Sequence, residues 1–169
     1  MCRLLIYSQR DWLSRDLAAL SPGKVSRDEN PDRTPLDMAA RFGGRPVWLD
    51  IGFGGGEHVV HQAQRHPDVE IVGCEPFVNG VAMLLGKIRS AGVRNISVYP
   101  GDVRDLFDVL PEACVARAFL LYPDPWPKQR HHERRFMTAQ HLGPLARVMQ
   151  RSAGRAVGDA GRSRGPPYP

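Results

Sequence analysis

Asp50-Ile51-Gly52-Phe53-Gly54-Gly55-Gly56 is a glycine loop that directly follows an apolar run. Such glycines let a backbone turn sharply and approach a ligand where a Cβ would clash. Acids recur further on: Glu75 closes the next apolar run, and Asp102 follows the one after that. A carboxylate at Glu75 is suited to accept from both hydroxyls of a ribose, and one at Asp102 from an adenine amino group. A single acid of this kind is an ordinary solvated strand end. Three of them, Asp50 included, above one glycine loop describe a pocket for a nucleoside cofactor.

A second segment places a carboxylate among cations. Tyr122-Pro123-Asp124-Pro125-Trp126-Pro127-Lys128 is followed by Arg130, His131, His132, Glu133, Arg134 and Arg135. The three prolines fix their own φ and restrict the residues before them, so Asp124 is held in place. Trp126 suits a lid or a surface on which a base stacks. The cationic cluster suits phosphates, with salt-dependent and mostly sequence-independent affinity. The two segments together point to chemistry on a nucleic acid base. No metal is expected, because adjacent histidines do not share a helix face and no further Cys or His completes a ligand set.

These residues need a scaffold that brings strand ends together. Apolar runs predict strands over 47–51, 69–74, 95–99 and 115–122. Between and after them, helices are predicted over 57–65, 79–91 (with Gly92 as C-terminal cap), 103–110, and from 133 or 138 to 149. Alternation of this kind gives an α/β, doubly wound, mostly parallel, Rossmann-like sheet joined by right-handed crossovers. Ligands bind such sheets beyond the carboxyl ends of the strands, where the strand order reverses. Residues 1–35 are poorly patterned, with a short helix expected over 11–20; 36–149 form the domain, starting with a helix near 36–42; and 150–169 are a Gly/Arg/Pro-rich tail expected to be disordered.

At 169 residues the chain is one domain with room for a real core. Its net charge of +5 favours an acidic partner such as RNA. Cys2, Cys74 and Cys114 form no C-x-x-C pair and read as reduced thiols. The N-terminal apolar stretch is too short for a signal peptide and no later run spans a bilayer, so the expected compartment is the cytoplasm.

The dinucleotide fingerprint G-x-G-x-x-G would need glycine at position 57, where this chain has Glu57, which disfavours a nicotinamide-dependent oxidoreductase. The loop instead resembles the S-adenosylmethionine loop of class I methyltransferases, in which the strand-end acid sits near the methionine amine. With Gly73-Cys74-Glu75-Pro76-Phe77, Gly101-Asp102 and the stretch from Tyr122 to Arg135, residues 36–149 resemble the bacterial tRNA (guanine-N7-)-methyltransferase family. The D-P-W-x-K pattern before R-H-x-x-R-R is unlike the N-P-P-Y or D-P-P-Y loop of amino-N6 methyltransferases. The resemblance implies methyl transfer from S-adenosylmethionine to N7 of guanine in tRNA. It implies cofactor contacts from Asp50, Gly52, Gly54, Gly56, Glu75, Asp102 and Asp124, with Asp124 also catalytic. It assigns tRNA contact to Lys128, Arg130, His131, His132, Glu133, Arg134 and Arg135. The family usually carries glutamate where Asp50 stands, so reach is shorter here by about one methylene.

Family members continue past the last helix into further strands, and nothing after Met149 matches these. The expectation is a C-terminally truncated sheet, incomplete after the fourth strand and its helix, with Ala118-Phe119-Leu120-Leu121 on an open edge. Low stability and little activity are expected of such a chain by itself. The alternative reading is a truncated, non-catalytic relative with residual cofactor or RNA binding.

Overall fold

The computed structural model describes residues 16–121 and 136–150. Two short helices, α1 (Leu17–Leu20) and α2 (Met38–Phe42), precede an alternating series. That series runs β1 (Val47–Ile51), α3 (Glu57–Arg65), β2 (Glu70–Cys74), α4 (Val78–Ala91), β3 (Ile96–Tyr99), α5 (Val103–Val109), β4 (Val115–Leu120) and α6 (Ala139–Val148). All strand pairs are parallel, in the order β3-β2-β1-β4. Order reverses between β1 and β4, so the switch point lies above the carboxyl end of β1, where the glycine loop begins.

Glycine and proline punctuation sets most boundaries, and from α2 onward the expected elements agree with these to within about two residues; of the helix expected over 11–20, the described residues show Leu17–Leu20. Gly92 closes α4 in the left-handed conformation, with its N–H on the Ile88 carbonyl. Thr138 is the N-terminal flank of α6. Asn95, expected to open β3, lies just before it; its buried amide donates to the carbonyls of Ala63, His66 and Val69 and ties β3 to the end of α3.

β1 and β2 are buried along their whole length, as central strands covered on both faces must be. On one face Val47, Leu49, Ile51 and Val72 pack against Leu106 and Phe107 of α5 and Val148 of α6. On the other, Trp48 and Ile71 pack against Val59 of α3 and Val81, Leu84, Leu85 and Ile88 of α4.

The described part of the poorly patterned N-terminal segment belongs to the domain. Val25 is 1% exposed in the α5-side core. The Arg33 guanidinium donates to the carbonyls of Val25 and Asp105, and the Leu36 N–H donates to the Val109 carbonyl. Sequence periodicity misses such a segment because it is held by single side chains and backbone bonds rather than by an amphipathic face.

β4 is an edge strand among the described residues, and its side chains after Val115 are largely half-exposed. On its outer side Met149 forms a parallel bridge with Val115, and the Gln150 N–H donates to the Val115 carbonyl at 2.8 Å. A fourth parallel pairing therefore begins as a single bridge at 149–150. The predictions for residues 1–15 (Cys2 and the start of the 11–20 helix), Tyr122 and 151–169 lie outside the described residues. Cys74 and Cys114 are free thiols; burial pushes Cys114 up to about 11. Among the described residues no helix is long and apolar enough to cross a membrane.

Candidate cofactor site

The glycine loop leaves β1 with its backbone bare. Gly52 and Gly54 have φ of 70° and 56°, a region that costs most residues strain. A Cβ added at either would meet nothing within 4 Å, so both present open backbone to an approaching ligand. Gly56 differs. It stands at the start of α3, and a Cβ there would come within 2.6 Å of Leu84 on α4, so its bare face serves packing.

Asp50, Glu75 and Asp102 each meet a protein partner. Asp50 is 2% exposed, and its Oδ2 lies 2.6 Å from Nδ1 of His58 on α3. Burial raises its pKa above the ordinary carboxylate value, an effect that the His58 contact only partly offsets. With Nδ1–H donating to Asp50, the other ring nitrogen of His58 is the acceptor for the Gln62 amide at 3.2 Å. Glu75, 5% exposed, accepts from the Gly54 N–H through Oε2 and from the Phe77 N–H through Oε1, both at 2.9 Å. It therefore joins the glycine loop to the start of α4. Asp102 caps α5 by accepting from the Arg104 N–H, and the Arg104 guanidinium holds its carboxyl below the usual range.

Asp50, Glu75 and Asp102 stand at or just past the carboxyl ends of three adjacent parallel strands, β1, β2 and β3, on one side of the sheet. Burial, and then the charges of Asp50, Asp102 and Glu75, push the Cys74 thiol at the end of β2 upward. Asp124, Lys128, Arg130, His131, His132, Glu133, Arg134 and Arg135, with Trp126, lie outside the described residues.

Asp50 makes stability depend on pH. A carboxyl whose folded pKa exceeds its unfolded value contributes stability that is fully present below the ordinary range and lost as pH rises through the raised value. Asp50→Asn removes that loss while keeping an acceptor for His58. Its thermal midpoint at pH 7 is expected to exceed the parent's by about 2–4 °C, with the gap closing at pH 4. Buried Glu70, also raised by desolvation, sets a background slope common to both chains. Melting curves across this range check it; equal midpoints at pH 7 would refute it.

Sequence reasoning missed four residues here. His58 follows the glycine loop by two residues and carries no role in the sequence reading. Gly80, Leu84 and Lys87 were not singled out, although their i, i+4, i+7 spacing puts them on one face of α4. The Lys87 ammonium donates to the Gly55 carbonyl at 2.7 Å and lies 3.0 Å from Oε1 of Glu57. A Cβ on Gly80 would sit 2.3 Å from the Gly54 carbonyl oxygen. An isolated glycine early in a helical pattern was the available signal of a close backbone approach.

The family model described as "Putative methyltransferase" matches residues 44–154. The tRNA (guanine-N(7)-)-methyltransferase of Jannaschia sp. (strain CCS1) is 68% identical over 146 residues, covering 86% of this chain and 62% of that protein. The protein of the same name from Cereibacter sphaeroides is 70% identical over 142 residues, covering 84% of this chain and 59% of its own length. The chain thus spans about three-fifths of the length of these curated relatives. Among solved structures, a 16S rRNA (adenine(1408)-N(1))-methyltransferase from Catenulisporales acidiphilia aligns at 19% identity and a TM-score of 0.49, over 68% of this chain and 57% of that one. From the family model and these close relatives, the chain belongs to the methyltransferase family whose curated members are named tRNA (guanine-N(7)-)-methyltransferase.

Proposed function

We propose that this chain binds S-adenosylmethionine in the glycine-loop cradle and directs methyl transfer to N7 of guanine in tRNA, in the cytoplasm. The observation that carries the reading is the open backbone at Gly52 and Gly54, next to acids at the ends of three adjacent parallel strands. The names of the relatives support the acceptor. S-adenosylmethionine supplies, when bound, a methyl group made electrophilic by its sulfonium.

The chain's own residues bind and orient. Asp50 offers a buried negative charge for the methionine ammonium. Glu75 keeps a lone pair on each oxygen beyond its two backbone bonds, which suits the ribose hydroxyls. Asp102 suits the adenine amino group. Guanine N7 has a free lone pair and no proton, so no general base is needed and rate comes from alignment. Asp124 orients guanine through its N–H groups and offsets the positive charge that develops on the base. Lys128 and the cationic residues from Arg130 to Arg135 hold tRNA phosphates.

The test is methyl transfer from labelled S-adenosylmethionine to unmodified tRNA by the purified full chain, with the label mapped to guanine N7. Label at N7 supports the reading. Among the described residues β4 pairs along its length with β1 alone, which favours a second reading, a non-catalytic relative that retains binding. Stabilisation by S-adenosylhomocysteine without any transfer selects that second reading. Stabilisation by NAD and not by S-adenosylhomocysteine sinks both.

A further inference from the structure

The glycine loop is held on one side by a single helix. Gly54 gives its N–H to Glu75 at the entrance to α4, and its carbonyl oxygen lies against Gly80. Gly55 gives its carbonyl to Lys87, and Gly56 packs on Leu84. Three consecutive glycines are thus each fixed by α4 or by the acid that leads into it. Helix electrostatics do not account for Lys87: its ammonium lies beside the start of α3, the end of a helix that favours anions. The cation is placed there by the Gly55 carbonyl and by Glu57. Glu57 is largely exposed, so that ion pair is worth little, and the bond to the loop backbone is the contact that matters.

We propose that the Gly80–Leu84–Lys87 face of α4 is a template that sets the glycine loop in its ligand-accepting shape, with Lys87 as a positioning residue for the cofactor. The inference rests on the cofactor reading above. A loop already ordered before binding spends no affinity on ordering itself. Gly52 and the outer face of Gly54 remain open on the opposite side, so the template fixes the loop without obstructing it.

Lys87→Met keeps the apolar stem and removes the donor. In the ligand-free chain the amides of Gly54 and Gly56 are expected to exchange with solvent about tenfold faster. The dissociation constant for S-adenosylhomocysteine is expected to rise roughly tenfold, the effect of one charge-assisted hydrogen bond. The thermal midpoint should fall by only about 3–6 °C, the same tenfold factor read in global unfolding. Lys87→Arg, which restores a cationic donor, should recover most of the affinity. Gly80→Ala is a second probe. Alanine favours a helix over glycine, so faster loop exchange and weaker binding in that variant are attributable to the added methyl pushing on Gly54. Hydrogen exchange and calorimetry decide the matter. Parent-like exchange at both glycines in Lys87→Met overturns the template, as does an unchanged dissociation constant alongside faster exchange. If the parent chain does not bind S-adenosylhomocysteine at all, the functional reading falls, while the exchange measurement still decides whether α4 holds the loop.

Discussion

Glu75→Ala is expected to abolish detectable S-adenosylhomocysteine binding and to lower the thermal midpoint by about 5–10 °C. The carboxylate is buried and accepts two backbone N–H bonds, from Gly54 and from Phe77. Truncation leaves both donors without a partner, at about 1–3 kcal/mol each, and in a chain of this size each kcal/mol moves the midpoint by about 2–4 °C. Water entering the vacated space keeps the loss near the low end. Binding suffers more than stability, because the glycine loop loses its tie to α4 and the proposed ribose acceptor goes with it. Glu75→Gln should rescue neither fully, since an amide has one acceptor oxygen and would turn its NH2 toward one of the two N–H donors. Scanning fluorimetry and calorimetry on both variants check this. A parent-like midpoint with retained binding in Glu75→Ala would remove the clamp from consideration.

Asp124→Ala is expected to slow methyl transfer to tRNA about a hundredfold relative to the parent chain, the loss typical of removing one fixed electrostatic partner of a developing charge. The dissociation constant of S-adenosylhomocysteine should change far less than the rate. Asp124→Asn, which keeps an acceptor but no charge, should fall between the two. Because N7 carries no proton to remove, the transfer rate should not follow the titration of a catalytic base. Single-turnover rates across pH separate the roles. Near-parent rates in Asp124→Ala would refute the assignment, and a rate that tracks one basic group would replace orientation with proton abstraction.

The scaffold was legible because glycine and proline punctuate it. Gly52 ends β1, Pro67 follows α3, Gly92 closes α4, and the apolar runs between are too short for helices. That Asp50, Glu75 and Asp102 stand at strand ends on one side of the sheet follows from alternation alone, since parallel strands put all their carboxyl ends on one side. What these acids touch did not follow. The pairing of Asp50 with His58 depends on how α3 leaves the loop, and a run of alternate glycines leaves that direction open. The α4 template was hidden for another reason. Val81, Ala82, Leu84, Leu85 and Ile88 make a broad apolar face, and the pattern does not say which flank meets the loop. Val25 and Arg33 were missed because irregular segments pack without a period.

The approach of Gly80 to the Gly54 carbonyl has a consequence for how such a sequence can drift. Neither partner is free to change alone: a side chain at Gly80 demands that the loop withdraw, and a withdrawn loop surrenders its bonds to Glu75 and Lys87. Two stretches 26 residues apart along the chain (80 − 54) are thereby coupled, able to change only in step.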